Sequence, residues 1–575
     1  MVDMFSQAAK AAGVGAVKLN QELQRIARLP RRLWDPYADE LADELTNLLR
    51  TPGGSMRLRP IQAVALAEIG TVGGFFGPIR VGAGKTLITL LAPVCAFAKR
   101  PLLLVPAALV DKTKRDEAIL RAHWTLPDFV RVMSYEWLGR VQAAKALDEF
   151  APDLIVADEV HRLKNPRAAC TRRVRRFMSD NVDTKFVAMS GTITKRSIKD
   201  FAHILKWTHA GESAPIPRWH GDLELWADAL DERKGQLRRA DPGALRVLCN
   251  GVEDEAWNHD PRRAARLAFR RRLVETPGVV ATKETPIDAS IQVRAVEPKI
   301  TRAIDDAFAE LRYKWTTPDG WPIADGLSMF RHARELALGF YYVWDPRPPR
   351  HWLEARKAWA AFVRRVLRHS RTLDSELQVR RQHADSPECQ DWLAVRDSFK
   401  PNTEPRWIDD SVAKFAASWA RKNRGIVWTE HTCFGDKLAE LGVPYYGRKG
   451  LDALGRMIEK HPTTSGIAAS IASNSTGRNL QAWSRNLITS MPANGMQTEQ
   501  LFGRTHRDGQ EADEVIFDVL VSCAEHVGAF WQARRDCEFV ETSTGSPQKL
   551  LVADVDMPTA DAIAFRAGPR FDKQV

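Results

Sequence analysis

No apolar run in this 575-residue chain approaches the roughly 20 residues that cross a bilayer. Its first twenty residues, MVDMFSQAAKAAGVGAVKLN, have no compact apolar segment followed by a cleavage site, so a secretory leader is not expected. The seven cysteines (Cys95, Cys170, Cys249, Cys389, Cys433, Cys523, Cys537) include no C-x-x-C pair, which argues against a zinc site or a disulfide framework. Reduced thiols in the cytoplasm are the expectation. There is no internal repeat, no low-complexity tract, and no nuclease or methyltransferase constellation.

What remains is an ordinary globular composition with a basic excess. Hydrophobic residues make up 44% and charged residues 27%, and the length suggests several domains. The net charge of +12 favours a polyanionic partner, most simply nucleic acid.

Two stretches alternate short apolar runs with helix-like patterns. In the first, Phe75–Val81, Pro101–Pro106, Val130–Met133, Leu154–Ala157 and Phe186–Met189 read as strands. In the second, Gly425–Trp428, Pro444–Tyr446, Gly466–Ala472, Asn486–Thr489 and Glu514–Leu520 do so. Fully apolar strands alternating with helices imply parallel sheets covered on both faces, hence an α/β protein with two lobes. Between them, residues 211–405 are rich in Arg, Trp and Pro and read as a mainly helical insertion. The expected boundaries are a helical N-terminal segment (1–50), a first lobe (51–210), the insertion, a second lobe (406–525) and a C-terminal extension (526–575).

Chemistry concentrates at three places. Gly82-Ala-Gly84-Lys85-Thr86 follows a strand-like run and opens an apolar helix. Backbone N–H groups at such a helix start attract phosphate, Lys85 suits the β/γ-phosphates of ATP, and the Thr86 hydroxyl suits Mg²⁺. Ile79 stands where a phosphate loop usually has its first glycine. Asp158-Glu159-Val160-His161 ends a buried strand, where an Asp can hold Mg²⁺ and the adjacent Glu can polarise a water. Gln500-Leu-Phe-Gly503-Arg504-Thr-His506-Arg507 places two arginines within one helical turn, suited to charge growing on a phosphate.

Taken in order, "LRPIQ" (58–62), "GAGKT" (82–86), "DEVHRLKNP" (158–166), "SGT" (190–192) and "GRTHRDGQ" (503–510) resemble the superfamily 2 helicase motors, most closely the Swi/Snf-like branch of DNA translocases. DEVH stands in the DEAH-box position, and the chain also looks like phage or mobile-element members of the group. The resemblance spans about 50–210 and 405–525. It implies two RecA-like lobes of the P-loop NTPase kind, ATP and Mg²⁺ as the bound species, and a bacterial or phage-infected cytoplasm as the setting. It further implies that Arg59, Gln62, Gly82, Gly84, Lys85, Thr86 and Gly477 bind nucleotide, with Thr86 and Asp158 at the metal. Glu159 is implied as general base, Ser190 and Thr192 as coupling residues, Gln500 as γ-phosphate or water sensor, and Arg504 and Arg507 as arginine fingers. Pro106, Lys112, Ser134, Tyr135, Thr429, Arg448 and Ser475 are implied at the nucleic-acid track.

The resulting expectation is an ATP-dependent DNA translocase, with duplex favoured over single strands. Two alternatives stay open. One is a strand-separating helicase in replication or recombination, although no strand-splitting pin is recognisable. The other is an ATP-switched clamp on DNA or protein with little turnover.

Overall fold

The computed structural model describes residues 15–80, 82–191, 193–194, 196–231, 239–282, 287 and 289–559. The chain forms two compact units, Met1–Thr285 with Asp536–Gln548, and Pro286–Arg535 with Lys549–Val575. Both are α/β, and each is built on a parallel sheet.

The first unit contains β1 (Phe75–Gly77), β2 (Pro101–Val105), β3 (Arg131–Ser134), β4 (Leu154–Asp158) and β5 (Lys185–Met189), in spatial order β1-β5-β4-β2-β3. Strand periodicity explains how apolar runs become a three-layer core. Leu102, Leu104, Ile155, Ala157, Phe186 and Ala188 enter one layer, where they pack with Phe201, Trp226 and Phe269. Their neighbours Leu103, Val105, Leu154, Val156 and Val187 enter the opposite layer with Leu66, Ile69 and Leu91. A strand buried on both faces must be apolar at every position. β1, β5 and β4 are adjacent and end level, with Gly77 opposite Met189 and Asp158 opposite Met189. The loops that leave these three strands therefore share one edge of the sheet.

The second unit follows with β6 (Ser290–Val296), β7 (Phe340–Trp344), β8 (Thr403–Trp407), β9 (Ile426–Thr429), β10 (Tyr445–Tyr446), β11 (Ile467–Ser470), β12 (Arg485–Ile488), β13 (Glu514–Leu520) and β14 (Asp554–Asp556). Seven of these make a parallel sheet in the order β10-β11-β9-β12-β13-β6-β14, and β7 and β8 pair antiparallel beside it. The chain between β7 and β8 folds as three helices (Arg350–His369, Glu376–Gln382, Pro387–Val395) around Trp359, Val363, Val379 and Cys389.

The stretch expected as one helical insertion, 211–405, does not form one body. Its first part packs into the first unit, where Trp226 meets Phe269 edge-on at 5.9 Å. β6 lies within the second sheet and pairs with β13 over seven positions. It was hard to read as a strand because Ile291, Val293 and Ala295 alternate with Gln292 and Arg294, and Arg294 pairs with Asp518 at 2.7 Å instead of entering the core. The expected C-terminal extension is also divided. Asp536–Gln548 belongs with the first unit, while β14 extends the second sheet. Among the described residues no helix is long and apolar enough to cross a membrane.

A buried histidine, His209, and a half-buried one, His203, make the first unit sensitive to acid. His203 directs Nε2 to the Leu163 carbonyl at 2.8 Å, and His209 directs Nε2 to the Pro277 carbonyl at 3.0 Å. Burial pushes each down to about 4 from the usual 6.5. The unfolded chain therefore takes up protons first as pH falls. The stabilisation is present above 6.5 and is lost progressively toward 4, by on the order of 2–3 kcal/mol for each histidine. Urea denaturation of the full chain is expected to show a lower midpoint at pH 5 than at pH 7, with a smaller drop in His209→Gln. Equal midpoints at the two pH values would contradict this.

Candidate functional site

The segment after β1 is shaped by glycines and held by two side chains. Gly82 (φ 93°) and Gly84 (φ 77°) both adopt left-handed backbone. Gly84 caps the helix Lys85–Cys95, and a Cβ there would lie 2.2 Å from the Gln62 amide nitrogen. That amide donates to the Gly84 carbonyl at 3.1 Å. Gln62 is itself fixed by accepting from the Arg59 N–H at 2.8 Å, while the Arg59 guanidinium reaches the Gly82 carbonyl at 3.1 Å. Arg59 and Gln62 thus brace the two glycines directly.

Lys85 is buried, and its ammonium donates to the carbonyls of Ile79 (3.0 Å) and Arg80 (3.3 Å). The Ile79 side chain enters the core. This position contributes backbone to the loop and its side chain to packing, which accounts for an isoleucine where a glycine is usual. Thr86 is half-buried in the first helical turn.

The acidic pair lies at the same sheet edge. Asp158 closes β4, and its carboxylate accepts from the Glu159 N–H at 2.9 Å. Glu159 has φ 53°, a strained left-handed conformation for a residue with a Cβ. Its Oε2 accepts from the Ser190 hydroxyl at 3.1 Å and lies 3.2 Å from His161 Nδ1, which is 3.0 Å from Ser190 Oγ. Ser190 is placed by its own N–H, which donates to the Gly77 carbonyl at 3.1 Å. Glu159, His161 and Ser190 therefore form one buried network across β4, β5 and β1.

The two carboxyls are driven apart. Burial, then the charge of Glu159, raises Asp158 to about 6. Burial would also raise Glu159, but Lys85, His161 and Ser190 outweigh it and hold this carboxyl below its usual range. Burial keeps His161 below its usual range as well, so it is the neutral imidazole that bonds the carboxylate. The positive charge of Lys85 lowers both carboxyls.

Among the described residues no group of three or more His, Cys, Asp or Glu could hold a metal by itself. That suits Mg²⁺, which takes one or two protein oxygens and completes its shell with water and phosphate oxygens. The Asp158 carboxylate and Thr86 hydroxyl are hard donors of the right kind. A divalent cation would also relieve the repulsion that raises Asp158.

The second unit holds the arginines. Arg504 closes the helix Gly495–Thr505, whereas Arg507 lies beyond the helix end. They converge by bonding one acceptor, since both guanidiniums donate to the Arg478 carbonyl at 3.1 Å. Arg504 also bonds the Gln500 carbonyl at 2.8 Å, and Arg507 bonds Asn479 Oδ1. Gln500 is 3.3 Å from the Thr476 hydroxyl, and Gly477 has φ 76°. Residues 476–479 and the arginine segment are thus one braced assembly. Arg507 Nε is buried without a hydrogen-bond partner among the described residues.

The expected nucleic-acid contacts divide by exposure. Pro106, Ser134, Tyr135, Thr429 and Ser475 are buried. Ser134 caps the helix Tyr135–Leu138, the Tyr135 hydroxyl donates to the Asp158 carbonyl at 2.7 Å, and the Thr429 hydroxyl accepts from the His431 N–H at 3.2 Å. Lys112 is half-exposed beside Asp116, and Arg448 is exposed. Thr192 lies outside the described residues. His161 was present in the sequence motif without an assigned role. Its pairing with Glu159 and Ser190 became apparent only when β4 and β5 came together.

No family model matches the chain. No curated protein matches it either. Among solved structures it is similar to the SWI2/SNF2 ATPase core of Sulfolobus solfataricus in complex with double-stranded DNA, with 14% identity over 86% of this chain and 95% of that one and a TM-score of 0.29.

Proposed function

We propose that the chain hydrolyses ATP and uses the cycle to move on DNA, as a translocase of the Swi/Snf-like kind. The observation that carries this reading is the convergence, at the edge formed by β1, β5 and β4, of a braced Gly82–Thr86 loop with the Asp158–Glu159 pair. A helix start with left-handed glycines, a buried lysine and two adjacent carboxyls of unlike basicity suits a metal-bound triphosphate and an attacking water. Gly82, Gly84 and Lys85 hold phosphates, Arg59 and Gln62 brace the loop beside the base, and Thr86 and Asp158 hold Mg²⁺. That ion, when bound, neutralises charge on the phosphates. Glu159 takes the proton of the attacking water, and Ser190 couples this carboxylate to strand β5. For residues of the second unit, nucleotide contact is assigned to Gly477 and Gln500 and the arginine-finger role to Arg504 and Arg507.

DNA as the track is supported by the basic excess, by the exposed Arg448 and by the half-exposed Lys112. ATP hydrolysis is expected to rise at least about tenfold with duplex DNA, and less at high salt because phosphate contacts are screened. Phosphate release measured with duplex, single strands and RNA at two salt concentrations tests this. Stimulation by RNA alone would overturn the DNA reading, and nucleotide-dependent DNA binding without phosphate release would favour a clamp.

A further inference from the structure

A cavity of about 500 Å³ opens in the second unit. It is built by the turn around Thr317–Trp321, the helix Gly326–Leu336, strand β7 and the loop after β9. Its size is that of a small-molecule pocket, and its walls combine aromatic surface with converging polar groups. Trp321, Tyr342 and Trp344 supply the aromatic surface, and all three are half-buried. His431 stands on the Tyr342 side with ring centroids 5.9 Å apart, and its imidazole has no hydrogen-bond partner among the described residues.

The charges in the cavity select among ligands. Asp319, Glu335 and Glu430 line it and are paired with Arg347 (3.0 Å), Arg331 (3.7 Å) and Arg334 (3.1 Å), so the lining offers a phosphate no uncompensated positive charge. The lone pairs left on a paired carboxylate still accept hydrogen bonds from exocyclic amines. In sequence, the helix Arg350–His369 begins six residues after Trp344 and exposes Arg356, Lys357, Arg364 and Arg368. Exposed cations and aromatic surface with carboxylates inside match a nucleic-acid strand whose backbone stays in solvent while one base turns inward. His431 lies at the carboxyl end of β9, where ligands of parallel sheets gather.

We propose that this cavity captures a single unstacked, amino-bearing nucleobase (cytosine, adenine or guanine) from a bound strand, through aromatic contact with Trp321, Tyr342 and Trp344 and hydrogen bonds to Asp319 and His431. The inference rests on the reading that the chain works on nucleic acid. Capture of one base would hold the strand at the second unit during the interval when other contacts let go.

The test uses the full chain and a DNA duplex carrying 5-iodocytosine in a short mismatched bubble. Irradiation is expected to cross-link that base to Trp321, Tyr342 or Trp344, located by mass spectrometry of the unmodified protein. Trp321→Leu and Asp319→Asn are each expected to lower the yield about tenfold, as loss of one stacking or edge contact does. Cross-links confined to other segments, or yields unchanged in both variants, would overturn the proposal. ATP hydrolysis followed in the same samples separates the two readings. DNA-stimulated turnover without cross-linking at the cavity sinks the base site alone. Cross-linking there without stimulation sinks the motor and leaves the site, and absence of both sinks the two together.

Discussion

Glu159→Gln is expected to lower ATP turnover by about 10²–10⁴-fold while leaving nucleotide binding intact. Glutamine has the same shape and can still accept from the Ser190 hydroxyl, so the β4–β5 edge should keep its form. What it cannot do is take up a proton. Asp158 is a poor substitute for three reasons. Its carboxyl is raised to about 6, its oxygen already accepts from the Glu159 N–H, and its proposed place is on the metal. The lowered pKa of Glu159 means that it is ionised throughout the neutral range, so titration of Glu159 itself should add no rise in rate between pH 6 and 8. Phosphate release, with binding followed by a fluorescent nucleotide, checks both parts. Turnover within about threefold of the parent protein would remove Glu159 from the role of base.

The second large effect is expected at the arginines, and the two residues should not behave alike. Arg507→Ala is expected to reduce turnover by about 10³-fold or more, in the range seen when a transition-state arginine is removed, with nucleotide affinity changed little. Arg504→Ala should reduce turnover comparably but also destabilise the second unit. Its guanidinium is buried and bonds the carbonyls of Gln500 and Arg478; the Arg478 carbonyl keeps Arg507, but removing the buried side chain takes the Gln500 contact and its packing, a loss of about 1–3 kcal/mol. Arg507 is half-buried, and the Arg478 carbonyl keeps Arg504 when Arg507 is lost. Arg507→Ala is therefore the cleaner variant. Turnover within tenfold of the parent in Arg507→Ala, with unchanged thermal unfolding, would mean that this arginine only braces residues 478–479.

Legibility in the sequence followed burial pattern closely. β2, β4 and β5 announced themselves because both faces of each are covered and, apart from Asp158 at the end of β4 and Lys185 at the start of β5, every residue is apolar. β6 did not, because it carries Arg294 and Gln292 on a half-open face. The left-handed glycines of Gly82–Thr86 and the place of Asp158–Glu159 at the end of β4 were readable because glycine conformation and acid placement are local properties. The bracing by Arg59 was not, because nothing in "LRPIQ" states that the guanidinium ends on the Gly82 carbonyl. Burial of single side chains was less legible: Tyr135 is buried in the short helix after β3 and Thr429 at the end of β9, and residue type alone states neither. The 500 Å³ cavity had no sequence signature, since its walls come from residues 317 to 431 and meet only when β7 and β8 pair around the helical excursion.

The division of the chain has a practical consequence for anyone dissecting it. The polypeptide passes from the first unit to the second near residue 285, returns within the helix Ala524–Thr544, and passes over again after Gln548. A gene fragment ending near residue 285 therefore lacks a piece of its own fold, including Asp536, which pairs with Arg196, and Ser546, whose hydroxyl donates to the Gly191 carbonyl at 3.0 Å. A single nick near residue 285 would leave the halves tethered. Independent expression of the first unit calls for grafting 536–548 back onto it, and deletions from the C-terminus past residue 548 would damage the half of the protein that begins at the N-terminus.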